Sequence, residues 1–290
     1  MPEVQGITRE MTIGEVISKT FDLYRRDFMK YLVVFLIVEG IIGVLTTLIA
    51  TAFFLPSLSA NPAPQTISSL SGIFGGLFGL IALSILISPV ATGSATKMAS
   101  QEIEKGQADL GASVRFTISK LVWLWVLSII VGVIVGLGFV ALIVPGIILA
   151  IMYSLATPAL LIENTGVLAG MGRSRKLVAH RWLKTFVLGL ILVVIFVIAA
   201  IITRLISAPF GFASSIVSSV LSAFYIPLFP IALTVYYYSN VARLAPPQPS
   251  QAPMAPGSAV TSETKFCPKC GTQMASWASV CPKCGTQQPV

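Results

Sequence analysis

The sequence predicts an all-α integral membrane bundle of six transmembrane helices with cytoplasmic amphipathic helices, followed by a small cysteine-bearing module. Three observations carry that reading. Of 290 residues, 55% are hydrophobic and 10% charged, with a mean hydropathy of +0.88, where soluble domains carry about 25% charged residues. Apolar runs recur, many of them long enough to cross a ~30 Å hydrocarbon layer as a helix. All 4 cysteines lie near the C-terminus, in two C-x-x-C pairs.

Taken in order, residues 1–30 do not read as a signal peptide, because acids and bases alternate along them. Ile13, Val16, Ile17, Phe21, Tyr24 and Phe28 recur at helical spacing, while Glu15, Lys19, Asp22, Arg25, Arg26 and Asp27 take the opposite face. Thr12 with Glu15 three residues later has the capping-box pattern, in which each side chain satisfies an orphan backbone N–H. Such a helix is expected to lie along the inner membrane surface.

Six apolar spans follow, over residues 31–55, 73–96, 121–144, 147–162, 183–206 and 213–238. Cytoplasmic loops are enriched in Lys and Arg. The segments 56–72 and 207–212 and the turn Val144-Pro145-Gly146 carry no charge and are expected outside. Lys97, Lys105, Arg115 and Lys120 place the second loop inside, as Arg173, Arg175, Lys176, Arg181 and Lys184 do for a basic helix over 167–184. Both termini are then cytoplasmic, and the protein is a multi-pass protein of the cell membrane. Arg204 is the one base at an outer end, where a long side chain reaches the headgroups. Trp123, Trp125, Trp182 and Tyr236-Tyr237-Tyr238 fall at expected inner interfaces. The net charge of +8 reads as the cytoplasmic excess of bases and not as a nucleic-acid surface. A helical stretch with one apolar side precedes each outward-going span, which suggests a threefold plan of surface helix plus hairpin.

After Arg243 the composition changes to Pro, Ala, Ser and Gln, and residues 244–264 read as an extended linker. The chain thus divides into an amphipathic N-terminal helix (1–30), a membrane domain (31–243), the linker and a module over 265–287. That module repeats Cys267-Pro-Lys-Cys270-Gly271 as Cys281-Pro-Lys-Cys284-Gly285. Paired knuckles suit one tetrahedral ion, each tight turn aiming two thiolates at a common centre. Four thiolates close the site to water and substrate, so the expected ion is one structural zinc in a zinc ribbon. Iron in a rubredoxin-like arrangement is the alternative that ligand type leaves open, and a reducing compartment disfavours two disulfides. Few apolar residues are present, so the ion supplies most of the folding energy.

Within the spans, Glu39 is the one acid well inside, a candidate intramembrane polar site or a hydrogen-bonded carboxyl of the bundle interior. Gly72 and Gly76, Gly75 and Gly79, and Gly132 and Gly136 have the spacing of close helix packing. Ser215, Ser219 and Ser222 make a polar stripe, and Pro89, Pro158, Pro227 and Pro230 are expected to kink or interrupt helices.

The pattern from Thr12-Ile13-Gly14-Glu15 to Arg26-Asp27-Phe28, with Val144-Pro145-Gly146-Ile147, Pro158-Ala159-Leu160, Glu163 and Ser174-Arg175-Lys176-Leu177-Val178, resembles a group of six-span prokaryotic membrane proteins. That group includes the membrane domain of some glycerophosphodiester phosphodiesterases. The resemblance covers residues 13–243 and marks Glu163, Ser174 and Arg175 as an inner-surface motif. It implies a fold and not a reaction, since the phosphodiesterase catalytic domain has no counterpart here.

No catalytic residues are expected: the single histidine, His180, stands in a basic segment with no nucleophile at readable spacing. Two functions remain. One is a membrane-anchored adaptor or regulatory scaffold that presents the ribbon to a cytoplasmic protein partner. The other is a transporter or binding protein for a lipid or small solute, with Glu39 and the serines on its path.

Overall fold

The computed structural model describes residues 7–49, 51–52, 66–244, 264–275, 279–280 and 283–287, apart from the side chains of 66–73, 212, 264 and 274–275. Most of the uncharged loop 56–72, most of the linker and Cys281 therefore lie outside the described residues. The chain forms two compact units, Met1–Ala245 and Pro246–Val290.

The described residues of the first unit are mostly helical. It runs α1 (Ile13–Arg26), α2 (Phe28–Ile49), α3 (Thr66–Lys105), α4 (Leu110–Ser119), α5 (Leu121–Ala141), α6 (Ile143–Tyr153), α7 (Ala156–Ile162), α8 (Val167–Val178), α9 (Trp182–Ser207), α10 (Ser214–Ser222) and α11 (Leu228–Leu244). Among the described residues, five segments are long and apolar enough to cross a membrane: Phe28–Ile49, Phe74–Lys105, Leu121–Ala141, Ile143–Ile162 and Trp182–Gly211. Their outer faces are apolar and open, with Phe78 75%, Val140 85% and Leu205 70% exposed. Such faces suit lipid and not water.

Several expected boundaries move, for identifiable reasons. The run 213–238 is not one helix: α10 ends at Ser222 and α11 begins at Leu228. A carbonyl at the break, that of Phe224, accepts from the Tyr24 hydroxyl at 2.7 Å, so a long-range bond supports the interruption. The second span continues as helix to Lys105. The basic segment is not one helix either, because α8 stops at Val178 and α9 starts at Trp182, with His180 at φ 64° between them.

The turn expected at Val144-Pro145-Gly146 lies instead at Leu142, whose φ is −166° and ψ 152°. Pro145, Pro158 and Pro230 each take the third position of a helix. There the missing N–H has no helical partner to lose. Pro227 stands just before α11, and only Pro89 lies well inside a helix. The α5–α6 hairpin closes on Gly138 and Gly146: a Cβ on Gly146 would meet the Phe139 ring at 2.5 Å. Gly132 and Gly136 have no such neighbour within 4 Å, so that expected packing pair is not at a packed face.

The main core is built around α11. Val16 and Leu23 of α1, Tyr31 and Phe35 of α2, Met98 of α3, Leu177 of α8 and Leu188 of α9 join Ile231, Val235, Tyr236 and Tyr237 in one buried cluster. Of the three tyrosines expected at the inner interface, Tyr236 and Tyr237 face the protein interior, 1% and 2% exposed, and Tyr238 is half-buried. A smaller cluster joins Leu124 and Leu127 of α5, Leu160 and Leu161 of α7, and Val167 and Met171 of α8. The capping box of α1 forms, with Thr12 accepting from the Glu15 N–H and Glu15 from the Thr12 N–H. The buried face of α1, which includes Val16, Thr20, Leu23 and Tyr24, packs within the protein.

In the second unit, β1 (Thr264–Phe266) pairs antiparallel with β2 (Gln273–Ala275), with Lys265 opposite Met274.

Candidate metal centre and polar network

The metal centre is set by the turn that joins β1 to β2. Cys267 N–H donates to the Thr272 carbonyl at 3.0 Å and Gly271 N–H to the Cys267 carbonyl at 2.8 Å. Gly271 and Gly285, each directly after the second cysteine of a pair, adopt φ 67° and 68°. This left-handed conformation favours glycine and lets the chain fold back over the sulfurs. Three sulfurs, of Cys267, Cys270 and Cys284, lie within 4.8 Å of one another. The Cys267 and Cys284 sulfurs are 3.6 Å apart, far beyond a disulfide bond of about 2.05 Å and close to the ~3.8 Å expected between two ligands at ~2.3 Å around a tetrahedral ion. These three thiols could hold a metal ion. Cys281, the fourth expected ligand, lies outside the described residues.

The threonines that follow were not singled out by the sequence reading. Thr272 Oγ1 lies 3.3 Å from the Cys270 sulfur and Thr286 Oγ1 3.2 Å from that of Cys284. Each hydroxyl can donate to a thiolate and steady its charge. The signal was present, since the six-residue run Cys-Pro-Lys-Cys-Gly-Thr occurs twice.

In the first unit the structure joins two of the three motif residues to structural roles. Glu163 caps the C-terminal end of α7, where Asn164 takes φ 52°. Its Oε1 accepts from the Tyr237 hydroxyl at 2.6 Å and from Arg173 Nε at 2.5 Å. Ser174 is fully buried, donating to the Met152 carbonyl at 2.8 Å and accepting from the Leu155 N–H at 3.2 Å. It thereby satisfies both sides of the joint between α6 and α7. Arg175 joins neither neighbour: it is exposed and lines a separate cavity.

Successive residues of α11 reach different elements. Tyr236 bonds Thr185 of α9 at 2.9 Å, Tyr237 bonds Glu163, and Tyr238 donates to Glu104 and lies 2.9 Å from the Ser100 hydroxyl. Ser239 accepts from Met11 N–H at 2.8 Å, and Arg243 donates to the Leu177 carbonyl at 3.1 Å. Glu10 is clamped by Lys184 at 2.6 Å and Arg181 at 2.9 Å. The hydrogen bond from Lys184 holds the Glu10 carboxyl below its usual pKa, against the opposing effect of burial. Glu102, which the sequence reading passed over, buries its side chain completely, with Arg26 Nε 3.7 Å away.

Glu39 accepts from Ser222 at 3.4 Å, across the contact between α2 and α10. That contact is tight, for a Cβ on Gly43 would meet Ser219 Oγ at 2.7 Å. Compared with known protein families, characterised proteins and solved structures, the chain matches none.

Proposed function

We propose that this is a non-enzymatic membrane-anchored adaptor: a multi-pass bundle holding a structural zinc ribbon in the cytoplasm for a protein partner. The observation that carries the reading is the cluster of three cysteine sulfurs in a compact unit distinct from the apolar bundle. With Cys281 as fourth ligand the site is closed, which suits a structural ion and leaves no position for a reacting water. Zinc accounts for such a thiolate set, and iron is separated from it by metal analysis and colour.

The bundle crosses the membrane six times in this reading. The sixth crossing combines α10 and α11, whose 9 and 17 residues rise ~13 Å and ~25 Å and together exceed the hydrocarbon thickness. Discontinuous crossings are tolerated where protein satisfies the freed backbone, as Tyr24 does for Phe224. The positive-inside bias then places both termini in the cytoplasm. The transport reading draws less support, since Glu39 and Ser219 lie in the tight contact between α2 and α10.

The test is co-purification from cells that express the protein at native level. A partner held by the full-length chain and lost from both the Cys267→Ser/Cys284→Ser variant and a chain ending at Ala245 supports the adaptor. Equal recovery of every co-purifying protein with all three forms would sink it.

A further inference from the structure

A cavity of about 530 Å³ lies between α6, α8 and the start of α9, within the ~300–1,000 Å³ range of small-molecule pockets. Its two sides differ in chemistry. Ile148, Ile151 and Met152 of α6 line it on an apolar side, while the exposed Arg175, Lys176 and His180 line its rim beside Trp182. The neighbouring outer surface is apolar, with Ile148 45% and Leu183 59% exposed.

The charge distribution decides what this cavity accepts. Among the bases of the 173–184 segment, Arg173 is paired with Glu163, and Arg181 and Lys184 are paired with Glu10. Arg175 and Lys176 take part in no ion pair among the described residues and are exposed. Among the described residues, the chain thus pairs Arg173, Arg181 and Lys184 with acids and leaves the two bases that border the cavity without one. His180 adds a third polar group from a left-handed backbone position, φ 64°, which an L-residue adopts only at some cost.

From the unpaired Arg175 and Lys176 beside an apolar lining from α6, we propose that this cavity is a binding site for one anionic phospholipid. The phosphate lies against the basic rim, where Arg and Lys recognise it by charge-assisted hydrogen bonds. The glycerol end enters the cavity, and the chains continue along the apolar surface around Ile148 and Leu183. Trp182, 57% exposed, has the amphipathic ring favoured at that headgroup level. The site shares no residue with the metal centre, so it stands or falls separately from the adaptor function.

The test uses the full-length protein in neutral detergent, with phosphatidylglycerol and phosphatidylcholine as probes and native mass spectrometry as readout. Wild type is expected to retain one phosphatidylglycerol in preference to phosphatidylcholine. Arg175→Gln/Lys176→Gln is expected to lose about thirty-fold in apparent affinity at low salt. Arg25→Gln/Arg115→Gln, which removes equal charge from exposed positions elsewhere, is expected to lose less than three-fold. Equal retention of the two lipids by wild type overturns the site, as does a rim variant that binds like wild type or a control variant that loses as much. Displacement of the lipid by millimolar inorganic phosphate overturns the lipid assignment in favour of a soluble anion. Both variants are first checked to melt at the wild-type temperature in the same neutral detergent. If the Gln pair melts early, Arg175→Lys with Lys176→Gln supplies the same comparison with one charge removed, expected to lose about five-fold. A loss under two-fold there overturns the site.

Discussion

Ser174 lies on α8 with no exposed surface, yet both of its hydrogen-bond partners belong to the joint between α6 and α7. Ser174→Ala would leave the Met152 carbonyl and the Leu155 N–H without that partner in a buried place. An unsatisfied buried group costs about 1–3 kcal/mol, so the expected loss is about 2 kcal/mol, read as a lower melting temperature in detergent. Ser119→Ala, at an exposed hydroxyl that bonds only the carbonyl three residues earlier, should leave the melt unchanged. The position was visible in the sequence, because Glu163, Ser174 and Arg175 belong to the motif that carries the resemblance. Their separate roles were not. Nothing local encodes that Glu163 bonds a tyrosine 74 positions later, or that Ser174 closes a helix break whose sequence is as apolar as its flanks.

At the scale of elements, the described part of the N-terminal arm before α1 is held to α9, to Arg181 just ahead of it and to α11 by four bonds. Glu10 receives Lys184 and Arg181, Lys184 also donates to the Met11 carbonyl at 2.8 Å, and Met11 N–H donates to Ser239. Because Lys184 lowers the Glu10 pKa from 4.5, the folded state binds this proton less readily than the unfolded chain. The stabilisation is then complete above the unfolded value and disappears as pH falls through the lowered folded value. Amide exchange in residues 9–13 is therefore expected to accelerate below about pH 4.5 relative to α11. Glu10→Gln should bring the fast exchange to neutral pH and remove that acid dependence; a variant that keeps it would assign the acid dependence to another group.

Elements were otherwise legible in proportion to how local their causes are. The Thr12 and Glu15 capping box needs only three residues of spacing, and it forms as read. The break between Ser222 and Leu228 falls where Pro227 and Pro230 are expected to interrupt the span 213–238, whereas the contacts of that break with α1 and α2, Tyr24 to Phe224 and Ser222 to Glu39, are not carried by composition. The prolines were legible in part, since the chain breaks just ahead of Pro158 and again around Pro227, just ahead of Pro230. Proline interrupts a helix only in its interior, and Pro145, Pro158 and Pro230 lie in first turns, positions that depend on where each helix begins.

For the whole molecule, the two units draw their stability from different sources. The bundle has extended buried clusters made entirely of its own residues, whereas the described residues of the second unit hold two three-residue strands and the cysteine turn. A segment with so little buried area does not fold unaided, and in the zinc-ribbon reading bound metal would supply what the core does not. Chelation should consequently abolish the amide protection of the β1–β2 pair and release one zinc ion per chain. The melting temperature of the bundle should not change. Adding zinc back should restore the strand protection, since ligand-linked folding is reversible by mass action. If strand protection survived exhaustive chelation with no metal detected, the thiols would be packing residues and not ligands. The placement of three sulfurs within 4.8 Å would then need a cause other than a shared ion.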